Sequence, residues 1–248
     1  VWNLNQFEVT TGEAKLTASG SWNAGQKDHS QTHLEATLDV SDLGRLLERF
    51  NMQHAVNDGA GQMNAQLNWA GAPVDFTTQS LMGQMSVLMR SGQILQVEPG
   101  AGRLLSLLSL QTLLRRLTLD FRDVVGQGFV FDTISSSASI EKGILRTSDF
   151  RIVGPQATVL SEGHLDLNTL SQNFKITVLP DISLGGASLA LAVANPILGV
   201  SSFLAQLALQ TPLSQLFSVE YQMTGTIDNP IIEKIADNDN RQATVTPQ

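Results

Sequence analysis

Apolar and polar residues alternate strictly over many short stretches of this chain. In the stretch QMNAQLNW, residues 62–69, every second side chain is apolar and the intervening ones are glutamine or asparagine. Successive side chains of a β-strand point to opposite faces, so this spacing gives the strand one apolar and one polar face. The same alternation recurs at residues 14–19, 33–40, 117–122, 174–178 and 217–223. Because strands with one solvated face are typical of antiparallel sheets, the pattern predicts a mainly β fold.

Three segments follow the period of an α-helix instead, and they predict helices at about residues 42–50, 101–115 and 187–209. In the first segment the apolar residues recur at i, i+3, i+4 and i+7, and they are Leu43, Leu46, Leu47 and Phe50. Ser41 is placed to cap the free amide groups of the first helical turn. The chain is therefore predicted to hold a few helices beside its strands.

The third helical segment is unusually apolar. From Ile182 to Val219 the chain contains no Asp, Glu, Lys, Arg or His. Asn195-Pro196 lies near the middle, and Pro removes an amide donor and disfavours helical geometry in the residue before it. The segment therefore predicts two shorter helices, at about 187–194 and 197–209. A helix with so wide an apolar arc is either buried against protein or lies in a bilayer interface, and the sequence leaves both open.

Composition excludes several classes of function. The net charge is −8 and the chain has only 15 Lys and Arg, so it lacks the basic clusters that bind nucleic-acid phosphates. It has no Cys, which excludes disulfides, thiolate metal sites and thiol catalysis. Its 4 His share no metal-ligand spacing, and no catalytic or nucleotide-binding motif is present. The sequence therefore predicts neither an enzyme nor a cofactor.

The two ends of the chain carry different patterns. The chain begins with VWNLNQFEVT, without an initiator Met, and alternates like a strand from its first residues. We therefore expect a piece of a longer protein, with any targeting signal or membrane anchor upstream. The stretch from Ala236 onward, ADNDNRQATVTPQ, is polar and aperiodic. It predicts a disordered tail at 236–248 after one structured region at 1–235.

Four segments, in this order, resemble the AsmA-like family of bacterial envelope proteins. They are SDLGRLLERF, GAGQMNAQLNWAGAPVDF, the long block from GQMSVLMRSG to FVFDTI, and VEYQMTGTIDNPII. The resemblance runs from about residue 41 to 232, and residues 98–132 are its most specific part. It implies a long, twisted antiparallel sheet curled into a hydrophobic groove that carries phospholipid across the periplasm. It also implies an inner-membrane anchor helix outside this chain, and it places this chain at the outer-membrane end.

An apolar groove suits lipid transport on physical grounds. Exposing an acyl chain to water costs about 0.8 kcal/mol per CH₂, so full extraction of a two-chain lipid costs on the order of 20 kcal/mol. A continuous apolar wall removes most of that cost without any catalytic group. The predicted lipid-binding residues are Leu34, Leu38, Met63, Leu67, Trp69, Met85, Val87, Leu117, Leu119, Phe121, Ile176, Val178 and Met223. Each of them is equally compatible with the ordinary core of a folded sheet.

The residues predicted to contact the membrane lie in the uncharged segment. They are Ile197, Val200, Phe203, Leu204 and Leu207. We expect the helices there to close the end of the groove or to enter the inner leaflet of the outer membrane. Two other functions stay open. One is an envelope scaffold that assists outer-membrane protein assembly, a role that the resemblance to another branch of the AsmA-like family implies. The other is a module that binds partner strands at its open edge. The alternation alone does not decide whether the sheet closes on itself.

Overall fold

The described residues form one antiparallel sheet. The computed structural model describes residues 1–25, 30–52, 54–95, 128–180 and 218–235. Each strand is hydrogen-bonded to its neighbours in chain order, from β1 to β11. The strands are β1 Trp2–Thr10, β2 Ala14–Ala24, β3 Ser30–Val40, β4 Val56–Ala70, β5 Met82–Ile94, β6 Phe129–Glu141, β7 Ile144–Val153, β8 Ala157–Asp166, β9 Ser171–Pro180, β10 Val219–Thr226 and β11 Asn229–Lys234. The prediction of a mainly β, antiparallel fold is confirmed.

The sheet is open within the described ranges. β1 and β11 are its edge strands, and neither has a strand on its outer side there. The remaining elements are the helix α1, Leu43–Arg49, between β3 and β4, and a 3-10 turn at Thr78–Ser80 before β5. The predicted helices at 101–115 and 187–209, the strand at 117–122 and the tail at 236–248 lie outside the described residues.

The long connections leave the sheet at one end of its strands. β4 begins at Val56, which pairs with Ile94 at the end of β5, and Ile94 pairs in turn with Phe129 at the start of β6. β10 begins at Val219, which pairs with Val178 near the end of β9. The connections between β5 and β6 and between β9 and β10 therefore start at the same end of the strands as α1.

Helix α1 occupies the first predicted helical segment, with two corrections. Its N-cap is Asp42, whose carboxylate accepts the Arg45 N–H at 2.9 Å, while the Ser41 hydroxyl donates to the Glu13 carbonyl of the β1–β2 turn at 3.0 Å. Ser41 was therefore wrongly predicted as the cap, because it binds a backbone distant in sequence. Phe50 is the C-cap and is 57% exposed, since the chain leaves the helix before its ring reaches the apolar side.

Helix α1 is held closely against the sheet. A Cβ at Gly44 would lie 2.6 Å from the Val56 carbonyl oxygen of β4, so this contact requires glycine. The Arg49 guanidinium donates two hydrogen bonds to the Glu13 carboxylate, at 2.8 and 3.1 Å. Arg49 is the first cause that lowers the pKa of the Glu13 carboxyl, and the Thr11 hydroxyl is the second. The helix is thus joined to β4 by packing and to the β1–β2 turn by an ion pair.

Bulges keep the apolar residues of each strand on one face. In β1, Asn5 and Gln6 oppose Ser19 alone, so one extra residue lies between Leu4 and Phe7. Without it, the alternation would send Phe7 to the polar face, because Leu4 and Phe7 are three residues apart. A similar phase change follows the positive φ angles of Asp58 and Ser91 in β4 and β5. Bulges also bend strands and increase their twist, which favours a curled sheet.

Candidate functional site

The apolar face of the sheet is bordered on both sides by buried clusters. One border lies beside α1 and includes Val56, Ile94, Phe129, Phe131 and Ile152, each less than 9% exposed. The other border lies at the opposite strand ends and is built on Trp69, Leu81 and Ile140. We call the apolar face between these two borders the trough. It follows the sheet from strand to strand, across the direction of the strands.

The floor of the trough at β3, β4 and β5 is apolar and partly open. Leu38, Met63 and Val87 are paired across these three strands, and Ala36, Ala65 and Met85 form the next row. All of them are half-buried, whereas the intervening side chains of β4, such as Gln62 and Asn64, are exposed. A row of aliphatic and thioether side chains that solvent still reaches is a surface for apolar ligands.

The predicted lipid-binding residues divide into three groups by their position. Leu34, Leu38, Met63, Leu67, Met85 and Val87 are half-buried on the trough face. Trp69, Ile176, Val178 and Met223 are buried, at 7%, 2%, 2% and 7% exposure, and belong to the border clusters. Leu117, Leu119 and Phe121, like all five residues predicted to contact the membrane, lie outside the described residues.

Trp69 is fixed by its neighbours as well as buried. Its indole N–H donates to the Ala72 carbonyl at 3.1 Å, and its ring meets Phe76 edge to face with centroids 5.6 Å apart. A buried indole usually needs such a hydrogen-bond partner. The side chain therefore closes the border beside the β4–β5 connection.

The opposite face of the sheet is polar and self-paired. The Thr37 hydroxyl donates to Asn64 at 2.9 Å, and the Gln62 amide donates to Asp39 at 2.7 Å. A cavity of about 600 Å³ opens above β4–β7, where exposed serine, amide and Arg146 side chains line it. Most of the residues that line it alternate with Ala65 and Met85 and belong to the polar face, and Ala65, Met85, Ala138 and Thr147 also border it.

A polar cluster interrupts the trough between β6 and β7. The Asp149 carboxylate accepts the Ser137 backbone N–H at 2.8 Å and the Thr147 hydroxyl at 3.1 Å, and it also accepts the Ser137 hydroxyl. The strand pairing is broken here, because the register shifts between Ser135 and Ser139. The carboxylate thus replaces a lost ladder acceptor. Burial lowers the pKa of the nearby Arg151 guanidinium, and the charge of Asp149 opposes that shift.

The sequence did not single out Asp149 or its partners. They come together only through the β6–β7 pairing, and no motif joins them. The apolar residues of β7 fall on both odd and even positions, so the strand has no regular alternation that would have marked its extra residue.

The first strand carries an exposed apolar row on the trough side. Trp2, Leu4, Phe7 and Val9 are each 44% exposed or more, and they pair with trough-face positions of β2. The Trp2 and Trp22 rings are stacked with centroids 6.5 Å apart. The apolar floor therefore reaches the β1 edge without being covered by any described residue.

An open antiparallel sheet with one apolar face between two buried borders defines a groove-forming β-sheet protein. No helix within the described ranges has the length and apolar character needed to cross a bilayer. The model of the family described as "YhdP protein" matches residues 1–232, and this chain belongs to that family. The family resemblance drawn from the sequence is thereby confirmed.

A curated relative shows the same relationship. The chain is 31% identical over 228 residues to the "Intermembrane phospholipid transporter YhdP" of Escherichia coli (strain K12). The match covers 92% of this chain but only 18% of that protein, so the chain spans less than a fifth of its relative's length. No solved structure matches the chain.

Proposed function

We propose that this chain forms part of a path for phospholipids between the inner and outer bacterial membranes. The observation that carries the proposal is the half-buried apolar floor at β3–β5, set between two apolar borders. The name of the Escherichia coli relative, an intermembrane phospholipid transporter, supports the same substrate class. On this proposal the acyl chains bind the trough, the headgroups stay in water, and the protein works in the periplasm without catalysing a reaction.

Adjacent residues on opposite faces give a matched test. Val87 is half-buried on the trough floor, and Ser86 is exposed on the polar face one position away. Val87→Glu places a charge where acyl chains bind, and Ser86→Glu places the same charge in water. We expect Val87→Glu to abolish phospholipid binding and transfer between donor and acceptor liposomes, with Ser86→Glu unchanged. Bound lipid is measured by native mass spectrometry, and thermal unfolding checks that both variants fold. Equal lipid binding by the two variants contradicts the proposal.

Contact with the outer membrane is a further part of the proposal. Its support is the uncharged sequence from Ile182 to Val219, together with the position of the flanking strands. β9 ends and β10 begins at the end of the sheet where α1 lies. Ile197, Val200, Phe203, Leu204 and Leu207 are the proposed contacts. Leu204→Asp combined with Leu207→Asp is expected to reduce binding to liposomes in a folded protein. Unchanged binding removes this part and leaves the trough untouched.

A second function, recruitment of a partner strand, is supported by the β1 edge. β1 is a nine-residue strand with every residue exposed, and it contains no Pro or Lys to block pairing. Native mass spectrometry of protein purified without added lipid separates the two functions. Co-purified phospholipid supports transport, and a bound client segment supports an envelope scaffold that adds strands at its edge.

A further inference from the structure

The chemistry of the trough floor changes across β6, β7 and β8. Met85 and Val87 of β5 pair with Ala138 and Ser136 of β6, so the floor continues through small side chains. The next trough-face positions are Thr147 of β7, bonded to Ser136 at 2.9 Å, and Gly163 of β8, which pairs with Thr147. The section of floor after β5 therefore consists of the small residues Ser136, Ala138, Thr147 and Gly163, where β3–β5 carry Leu, Met and Val.

The hydroxyl groups of this section are tied to a charge. Thr147 donates to the Asp149 carboxylate at 3.1 Å, and Ser136 lies 3.4 Å from the same oxygen. Ser136, Thr147 and Asp149 are all half-buried, so solvent reaches the cluster. An acyl chain crossing it has to remove water from hydroxyl and carboxylate groups and gains few contacts from Ala138 and Gly163.

Beyond β8 most trough-face side chains are buried by their own packing, and Phe174 of β9, which pairs with Gly163, is half-buried. Ile176 of β9 and Tyr221 of β10 are each 2% exposed, and Met223 is 7% exposed. All three belong to the same buried cluster as Val178 and Ile232. These three side chains are less than 9% exposed, whereas the apolar residues at β3–β5 pack against the border clusters but stay half-buried.

We infer that acyl chains bind the trough along β3–β5, and that the Ser136–Thr147–Asp149 cluster is the boundary of this binding section. The inference rests on the proposed function and makes it more specific. It divides the candidate residues by role: Leu34, Leu38, Met63, Leu67, Met85 and Val87 contact lipid, and Ile176, Val178 and Met223 hold the sheet together.

Two alanines in one row of the floor provide the test. Ala65 of β4 and Ala138 of β6 both pair with Met85; Ala65 lies within the proposed binding section, and Ala138 lies on the strand that carries Ser136 of the boundary. A diazirine-bearing aliphatic amino acid is placed at each position in turn, and the protein is irradiated with vesicles of phosphatidylethanolamine and phosphatidylglycerol. We expect about tenfold more lipid adduct at position 65 than at 138, which corresponds to about 1.4 kcal/mol. The same amino acid at Ser86, on the polar face, gives the background.

Removing the hydroxyls tests the cause. Thr147→Val keeps the shape of the side chain, and Ser136→Ala removes the second hydroxyl. In this double variant we expect adduct at position 138 to rise toward the level at 65. Equal adduct at 65 and 138 in the unsubstituted chain overturns the boundary, and an unchanged ratio in a folded variant overturns the role of the hydroxyls. Adduct at background level at both positions contradicts the proposed function itself. Should the double variant not fold, the single Thr147→Val variant carries the same readout.

Discussion

Removing the Asp149 carboxylate should destabilise the sheet where the β6–β7 pairing is broken. In Asp149→Ala the Ser137 backbone N–H loses its acceptor at 2.8 Å and the half-buried Thr147 hydroxyl loses its acceptor at 3.1 Å. Each lost bond to a charged acceptor costs about 1.5–3 kcal/mol when water cannot replace it. Ser137 is exposed, so water restores part of its bonding. We therefore expect a loss of about 2–3 kcal/mol in the free energy of unfolding.

Two further variants separate the hydrogen bonds from other effects. Asp149→Asn keeps one acceptor oxygen and should lose about 1 kcal/mol, because it removes the charge but not the whole network. Ser148→Ala alters an exposed neighbour in the same bulge and should stay within about 0.5 kcal/mol of the parent, as surface changes usually do.

Urea unfolding followed by circular dichroism measures these differences, and hydrogen exchange reports on the Ser137 amide itself. In Asp149→Ala that amide should exchange faster than in the parent, since it has no protein acceptor left. An unfolding free energy within about 0.5 kcal/mol of the parent, together with unchanged exchange at Ser137, would refute the assignment of Asp149 as a substitute ladder acceptor.

Two other substitutions test the packing of the sheet and the anchoring of α1. A Cβ at Gly61 would lie 2.0 Å from the Leu88 carbonyl oxygen, so Gly61→Ala should cost about 1–3 kcal/mol in chemical unfolding, whereas Gly12→Ala, with nothing within 4 Å, should be neutral. Because Arg49 lowers the pKa of Glu13, the ionised carboxylate stabilises the fold above its ordinary pKa and loses this effect as the pH falls through the lowered value. Glu13→Gln should therefore be less stable than the parent near neutral pH and equal to it in strong acid, and a constant difference across pH would contradict the ion pair.

The alternation of side chains was sufficient to predict strands within β2, β3, β4, β9 and β10 and the face that is apolar, whereas β6, β7, β8 and β11 were not predicted. Residues 62–69 were predicted as one strand with an apolar and a polar face, and they lie within β4 with that division. The helix at 42–50 was also predicted, since its apolar period is short and regular. Both predictions depend only on local spacing, because side chains return to the same face about every 2 residues in a strand and about every 3.6 residues in a helix.

Contacts between distant residues were not predictable from spacing. The Arg49–Glu13 ion pair joins residues that only the β2–β3–α1 path brings together. Ser41 illustrates the limit, because a good local cap residue was used for a contact with the Glu13 carbonyl instead. The trough positions raised the same difficulty: Leu38 and Ile176 have the same pattern in sequence, yet one is half-buried and the other is 2% exposed. Exposure depends on which side chains of other strands contact the residue, and alternation does not contain that information.

The extra residue in β1 restricts which strands are able to extend the sheet. Consider a regular strand paired with the outer edge of β1. If its apolar side chains lie on the same face as Trp2 and Leu4, those beside Phe7 and Val9 lie on the opposite, polar face. Only a strand with a compensating bulge opposite Asn5 and Gln6 keeps the apolar face continuous. The β1 edge therefore pairs only with strands that carry such a bulge. This requirement opposes the regular stacking of identical strands that forms fibrils.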